Sequence, residues 1–285
     1  MAHYAIDKTL TIDELRFHYR DWDGHGWPVL LLHGLSSTAH IWDLVAPLLV
    51  EEARAVALDL RGHGRSDKPD GDYGFPTVGG DVRRVLAELQ FDCPVIVGHS
   101  WGASIGLWLA ATYPDEIGGL VMVDGGLIDL GSLSWDETLR RLTPPALNGT
   151  PVEEFRAMIV SQSPQGIVSP AVEAALLANF EIDAENRIHR RLPVEFHLRI
   201  LRAMWEQRLP DLYRKVTCPV LILPARWKDR DDAEMLSHKE KGAAEAESLF
   251  ADVEVVWVDE SIHDMPLHHP HRLAEEIGRF IRERL

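Results

Sequence analysis

The sequence predicts an α/β protein: a mostly parallel, doubly wound sheet of about eight strands carrying a helical cap insertion. Three observations predict it. Short apolar runs recur along the chain, several of them are continuous rather than alternating, and helical patterns lie between them. A continuous run is what a strand buried on both faces requires, and strand–helix alternation is how parallel neighbours are connected. The 285 residues suit one core with a sizeable insertion better than two independent domains.

Taken in order, Tyr4 to Leu10 and Leu15 to Trp22 read as a leading antiparallel pair. Strand runs follow at Val29 to Leu32, Ala53 to Leu60, Val95 to Val97, Leu120 to Val123, Val220 to Leu223 and Val253 to Val258. Helical patterns occupy Ile41 to Ala53, Val78 to Leu89, Ala103 to Tyr113 and Leu273 to Leu285. From about Leu127 to Tyr213 the rhythm breaks, with no strand run and several amphipathic helix patterns. This segment is expected to form the cap (127–213), inserted into a core made of 1–126 and 214–285. Within it, Thr150, Pro151 and Glu153 have the pattern of an N-cap, a first-turn proline and a capping-box acid, and Ser169 with Pro170 opens another helix. Phe196, Ile200, Met204 and Trp205 follow Pro193 at helical spacing, which core packing explains more simply than pocket lining.

Composition narrows the function. Forty-five acidic against twenty-nine basic side chains give a formal charge of −16, which repels phosphate backbones and anionic lipid surfaces. The expected partner is therefore a neutral, largely apolar small molecule, with no nucleic acid and no membrane. Met1 to Leu10 has no apolar core of a signal peptide and no stretch reaches the roughly 18 apolar residues of a bilayer span, so a cytoplasmic location follows by default. Cys93 and Cys218 each precede a Pro-Val that opens an apolar strand and read as small buried hydrophobes, not a disulfide framework. No dinucleotide or metal motif stands out, so no cofactor is expected. His268, His269 and His271 lack a partner cluster and read as a solvated face.

The chemistry centres on Gly98-His99-Ser100-Trp101-Gly102, placed directly between the strand at Val95 to Val97 and the helix at Ala103 to Tyr113. A serine on so sharp a turn needs small residues two before and two after it, which Gly98 and Gly102 supply. The turn presents the Ser100 hydroxyl at the carboxyl edge of the sheet and aims the Trp101 amide at a developing oxyanion. A serine hydroxyl also needs a base with a pKa near 7.

With His33-Gly34 after one strand, Asp59-Leu60-Arg61-Gly62-His63-Gly64-Arg65-Ser66 after the next, this elbow, and a late histidine, the chain resembles the α/β-hydrolase family from about His18 to Leu285. The resemblance implies Ser100 as nucleophile and a second oxyanion donor on the backbone amide of Leu35. It also implies His263 as base, in the stretch Ser261-Ile262-His263-Asp264 after the last strand. His63 and His99 belong to turn motifs in the wrong order for that role. For the third member, the resemblance leaves two aspartates. Most relatives carry the acid shortly after the seventh strand, where this chain reads Lys228 in register and Asp229 one residue on. Others, such as haloalkane dehalogenases, place it after the sixth, where Asp124 stands. Asp124 needs no insertion and is preferred, with Asp229 the alternative.

The expected activity is hydrolysis of carboxylic esters or lactones through an acyl-enzyme. Two alternatives keep the same three residues or the same scaffold: cleavage of C–C bonds or cofactor-free perhydrolysis, and a ligand receptor with vestigial catalysis. Dehalogenases and epoxide hydrolases fit less well, because they carry an aspartate where Ser100 stands. The cap and its tryptophans suggest a modest apolar pocket.

Overall fold

A computed structural model describes residues 4–163, 166, 168–229 and 232–285. Residues 1–3 of the N-terminal segment and residues 230 and 231 beside Asp229 lie outside the described residues. The chain opens with β1 (Ile6–Ile12) and β2 (Leu15–Asp21), an antiparallel pair, followed by β3 (Trp27–Leu32) and β4 (Ala53–Leu58). Next come α1 (Phe75–Glu88), β5 (Val95–His99), α2 (Trp101–Thr112) and β6 (Gly119–Val123). An insertion then carries α3 (Trp135–Leu142), β7 (Thr150–Pro151), α4 (Val152–Gln162), α5 (Pro170–Leu177), β8 (Phe180–Ile182), β9 (Arg187–Arg190), α6 (Val194–Glu206) and α7 (Leu209–Tyr213). The chain returns to the sheet through β10 (Val220–Leu223), β11 (Ala225–Arg226), α8 (Ala233–Leu249), β12 (Val253–Val255), β13 (Val258–Asp259), α9 (Met265–His268) and α10 (Pro270–Arg284).

The eight-stranded sheet runs β1-β2-β4-β3-β5-β6-β10-β12, and every pairing from β4 to β12 is parallel. Period-two geometry explains the continuous apolar runs. Leu30, Leu32, Ile96, Leu120, Met122 and Ile222 face one layer of the core, which Val78, Val82, Ile105 and Leu109 of α1 and α2 complete. Their neighbours Leu31, Val97, Val121, Val123 and Leu221 face the other, packed against Leu273, Ile277 and Phe280 of α10. Each such fully buried aliphatic side chain contributes about 1.5–3 kcal/mol relative to exposure.

Four local expectations are corrected. Ile41 to Ala53 is not one α-helix but two 3₁₀ turns, Ala39–Trp42 and Ala46–Leu48, parted before Pro47. The insertion is not wholly helical: β7, β9 and β8 form a small antiparallel sheet. Thr150 lies in β7 rather than capping a helix, and Pro151 takes the cap position of α4 with no side-chain cap bond. Cys218 is buried but Cys93 is exposed. Ser169 does cap α5, accepting a hydrogen bond from the Val172 amide. Among the described residues, no helix is long and apolar enough to cross a membrane.

A glycine-to-alanine pair tests the close seating of α2 on the sheet. A Cβ on Gly102 would collide with the Leu32 carbonyl oxygen and lie 2.8 Å from that of His33, and backbone atoms cannot step aside cheaply. Gly102→Ala is expected to lower stability by about 1–3 kcal/mol in urea unfolding. Gly80→Ala, in α1 where the nearest atom is the far end of Arg84 at 3.8 Å, is expected to raise it by about 0.5–1 kcal/mol, because alanine favours the helix.

Candidate active site

The sheet delivers its site at the carboxyl ends of β5, β6 and β10. Ser100 joins β5 to α2 with φ 55° and ψ −117°, a backbone conformation that costs a non-glycine residue about 1–3 kcal/mol. Its amide donates to the Val123 carbonyl at 2.9 Å, pinning the turn to the end of β6. A Cβ on Gly98 would collide with the Gly102 carbonyl and the Ala103 amide, so the tight turn requires glycine there. Gly125 does the same from β6: a Cβ there would lie 2.6 Å from the Ser100 Cα. Trp101 is the first residue of α2, so its amide has no carbonyl of its own helix to serve. Its indole is buried against His63 and does not line the cavity.

His263 lies on the loop between β13 and α9 and meets Asp124 directly, Nδ1 to Oδ2 at 2.6 Å. An ionised carboxylate can only accept, so Nδ1 carries the proton and Nε2 keeps a free lone pair. Asp124 follows β6 at φ 41° with its side chain 2% exposed. Its Oδ1 accepts from the Ala225 amide at 2.8 Å and from Lys239 Nζ at 2.8 Å. Burial alone raises a carboxyl pKa, but the His263 hydrogen bond and the charges of His263 and Lys239 outweigh it and hold Asp124 at about 2. Of the two candidate acids, Asp124 is therefore the partner of His263, while Asp229 is exposed on the turn after β11.

The His263 side chain is 56% exposed to the cavity, yet protein encloses its other sides. That desolvation pulls its pKa down, and the hydrogen bond and negative charge of Asp124, with Asp264, more than reverse it, leaving the imidazole a stronger base than an ordinary histidine. His99 supports it from β5: its Nε2–H donates to the His263 carbonyl at 2.9 Å, and the two rings sit 4.8 Å apart. Burial, then the neighbouring His263, pushes the His99 pKa down to about 4, so it stays neutral.

Ser100, His263 and Asp124 line one cavity of about 420 Å³ with Leu35, and the cap closes it with Leu130, Leu201 and Met204. Aliphatic and methionine side chains, not tryptophans, make the walls. Trp205 turns away, stacking edge-on with Trp135 and donating to the Leu133 carbonyl at 3.0 Å. His33 holds the loop before Leu35, donating from Nδ1 to the Gly34 carbonyl at 2.8 Å and accepting the Leu60 amide on Nε2 at 3.1 Å. From the cap, His197 fixes the same loop. Its Nε2–H donates to the Leu142 carbonyl, and its Nδ1 accepts the Ser36 hydroxyl, both at 2.9 Å.

Sequence reasoning missed His99, His197 and Lys239 as parts of this site. Only His99 carried a signal, its place beside Ser100. Lys239 and His197 come from helices whose facing toward the cavity depends on the cap and on α8.

A family model described as alpha/beta hydrolase fold matches residues 28–176, just over half of the chain. Among curated proteins, the chain is 41% identical over 102 residues to a serine hydrolase-like protein of Danio rerio, a stretch covering 35% of this chain and 31% of that protein. It is 36% identical over 122 residues to a soluble epoxide hydrolase of Corynebacterium sp. (strain C12), covering 42% of each. The matches thus span less than half the length of these relatives. Among solved structures, E-2-(acetamidomethylene)succinate hydrolase superposes with a TM-score of 0.83 at 24% identity, over 98% of this chain and 100% of that one, which is a likeness of fold. The strained serine turn, the sheet order and the matched family model together place this chain in the α/β hydrolase fold family.

Proposed function

We propose that the protein hydrolyses carboxylic esters or lactones through an acyl-enzyme. The observation that carries this reading is the strained Ser100 turn opening into the same cavity as the His263–Asp124 pair. In it, Ser100 Oγ attacks the acyl carbon while His263 Nε2 takes its proton. Asp124 holds the tautomer and stabilises the imidazolium, and the Leu35 and Trp101 amides receive the oxyanion. Each such donor is worth about 3–4 kcal/mol in the transition state. His263 then protonates the leaving alkoxide, and water repeats the sequence on the acyl-serine.

Ser100 favours this chemistry over that of an elbow aspartate. A carboxylate nucleophile suits displacement at alkyl carbon, whereas a hydroxyl with a base suits addition to a carbonyl. The aliphatic lining supports a neutral, apolar acyl group or lactone ring of modest size. The test is a panel of p-nitrophenyl esters, lactones and diketones run with wild type and Ser100→Ala. Turnover of esters or lactones that vanishes in the variant supports the reading; turnover confined to diketones, or binding without turnover, overturns it.

The base also sets a pH dependence. His263 must be neutral to accept a proton, so kcat/KM is full above its pKa and falls as pH drops through it. Because Asp124 raises that pKa, the acid limb is expected above the ordinary histidine value of about 6.5, read from a profile of kcat/KM against pH.

A further inference from the structure

Lys239 has a place in this site that the hydrolytic reading does not use. It projects from α8, two turns in, with its side chain only 19% exposed, and it lines the cavity beside Met235 one helical turn before it. Its ammonium donates to Asp124 Oδ1 at 2.8 Å and to the Ala225 carbonyl at 2.9 Å. Asp124 is thus shared: Oδ2 serves the imidazole and Oδ1 the lysine. The Ala225 amide already satisfies Oδ1 with a neutral donor at 2.8 Å, so the ammonium adds a full positive charge where hydrogen bonding alone did not require one.

We propose that Lys239 is a positioning residue that divides the charge of Asp124 with His263 and so keeps His263 available as a base at lower pH than Asp124 alone would allow. An aspartate bound only to a histidine stabilises the imidazolium, and where that form is too stable the ring already carries its second proton at working pH and cannot serve as base. A second cation on the far oxygen opposes the protonated form in two ways. It offsets the carboxylate's field at the ring, and it repels the imidazolium directly. Among the described residues, the other charged or titratable groups facing His263 are Asp264, its chain neighbour, which favours the protonated form, and His99 across the rings, which is held neutral. The direct influence of Lys239 on His263 is in the lowering direction. The rotation of the Asp124 carboxylate is held by the Ala225 amide and Lys239 on Oδ1 and by His263 on Oδ2, so the lysine's distinct contribution is its charge.

The inference rests on His263 being the base, so the test needs a readout that does not depend on turnover. NMR titration of the His263 imidazole in the full chain supplies one, and the acid limb of kcat/KM on a p-nitrophenyl ester supplies the other. Lys239→Gln keeps a donor for Asp124 but removes the charge, Lys239→Met is a second neutral variant, and Lys239→Arg keeps the charge. The neutral variants are expected to raise the His263 midpoint by about one pH unit and move the acid limb by the same amount, a tenfold loss of kcat/KM at pH values below the wild-type limb. Lys239→Arg is expected to stay near wild type. An unmoved midpoint in the neutral variants, or an equal rise in the arginine variant, overturns the proposal. If the imidazole shifts as expected while wild type turns over no ester, the role of Lys239 stands and the esterase reading falls.

Discussion

Ser100→Ala is expected to reduce kcat on the best ester of the panel by about 10⁴–10⁶-fold while leaving the fold intact. That is a loss of about 5.5–8 kcal/mol of transition-state stabilisation. The methyl side chain removes the hydroxyl that the strained turn presents, and the other hydroxyls lining the cavity, Ser104 and Ser261, do not stand on that turn. The amides of Leu35 and Trp101 remain, so a residual rate above that of water is part of the expectation. The dissociation constant of the substrate is expected to change little, because Leu130, Leu201, Met204 and their neighbours line the cavity unchanged, while KM rises toward that constant as the acyl-enzyme no longer accumulates. Stability should also stay within about 0.5 kcal/mol, since alanine meets the same strain at φ 55° that serine does. Rapid-mixing kinetics on wild type should show a burst of p-nitrophenol as the acyl-enzyme accumulates, and no burst in the variant. A variant that keeps even a tenth of wild-type kcat would remove Ser100 from the chemistry.

What could be read in advance follows from where each signal is stored. The parallel strands were legible because both faces are buried, so Val29 to Leu32 or Val220 to Leu223 admit no polar residue and stand out in one dimension. The cap sheet was not, because its strands are two to four residues long and largely polar or exposed, as in Arg187–Arg190. The segment after Ile41 carries helical apolar spacing, but it folds as two 3₁₀ turns, and Pro47 supplies no amide for a continuous α-helix. Cys93 precedes a buried strand yet sits at φ 42° on the exposed turn that enters it, so its neighbour's burial did not extend to it.

The site divides the same way. The placement of Ser100 is local, since two glycines and a strand-to-helix junction suffice to mark it. The position of His263 was legible through its order in the chain. Asp124 and Asp229 both stand near the ends of adjacent strands, and only their distances to an imidazole more than thirty positions from either could separate them. Lys239 shows the limit: Lys241 lies two residues away on the same helix, and no pattern distinguishes the lysine that reaches Asp124 from the one that does not. Buried charge pairs are set by three-dimensional packing, and a single sequence states them only once the packing is known.

Asp124→Asn should therefore separate what the sequence could not, with an expected fall in kcat of about 10⁴-fold against a change within about twofold for Asp229→Asn. An amide at position 124 offers His263 an N–H as readily as an oxygen, so the imidazole can adopt the tautomer with its proton on Nε2, where it cannot accept one from Ser100. The imidazolium formed during attack also loses its counter-charge. Losing Asp124 lowers the His263 pKa, because its hydrogen bond and charge are what raise it; the residual activity should show an acid limb displaced to lower pH. A merely structural aspartate would lower activity without moving that limb. The same substitution leaves Lys239 mostly buried with no carboxylate opposite it, which is expected to cost about 1–3 kcal/mol of stability in urea unfolding. Adding Lys239→Met should recover part of that stability without recovering turnover, since it removes the stranded charge and restores no acid. Near-normal kcat in Asp124→Asn, or a large loss in Asp229→Asn, would transfer the acid's role to the turn after β11 despite the 2.6 Å bond that joins Asp124 to His263.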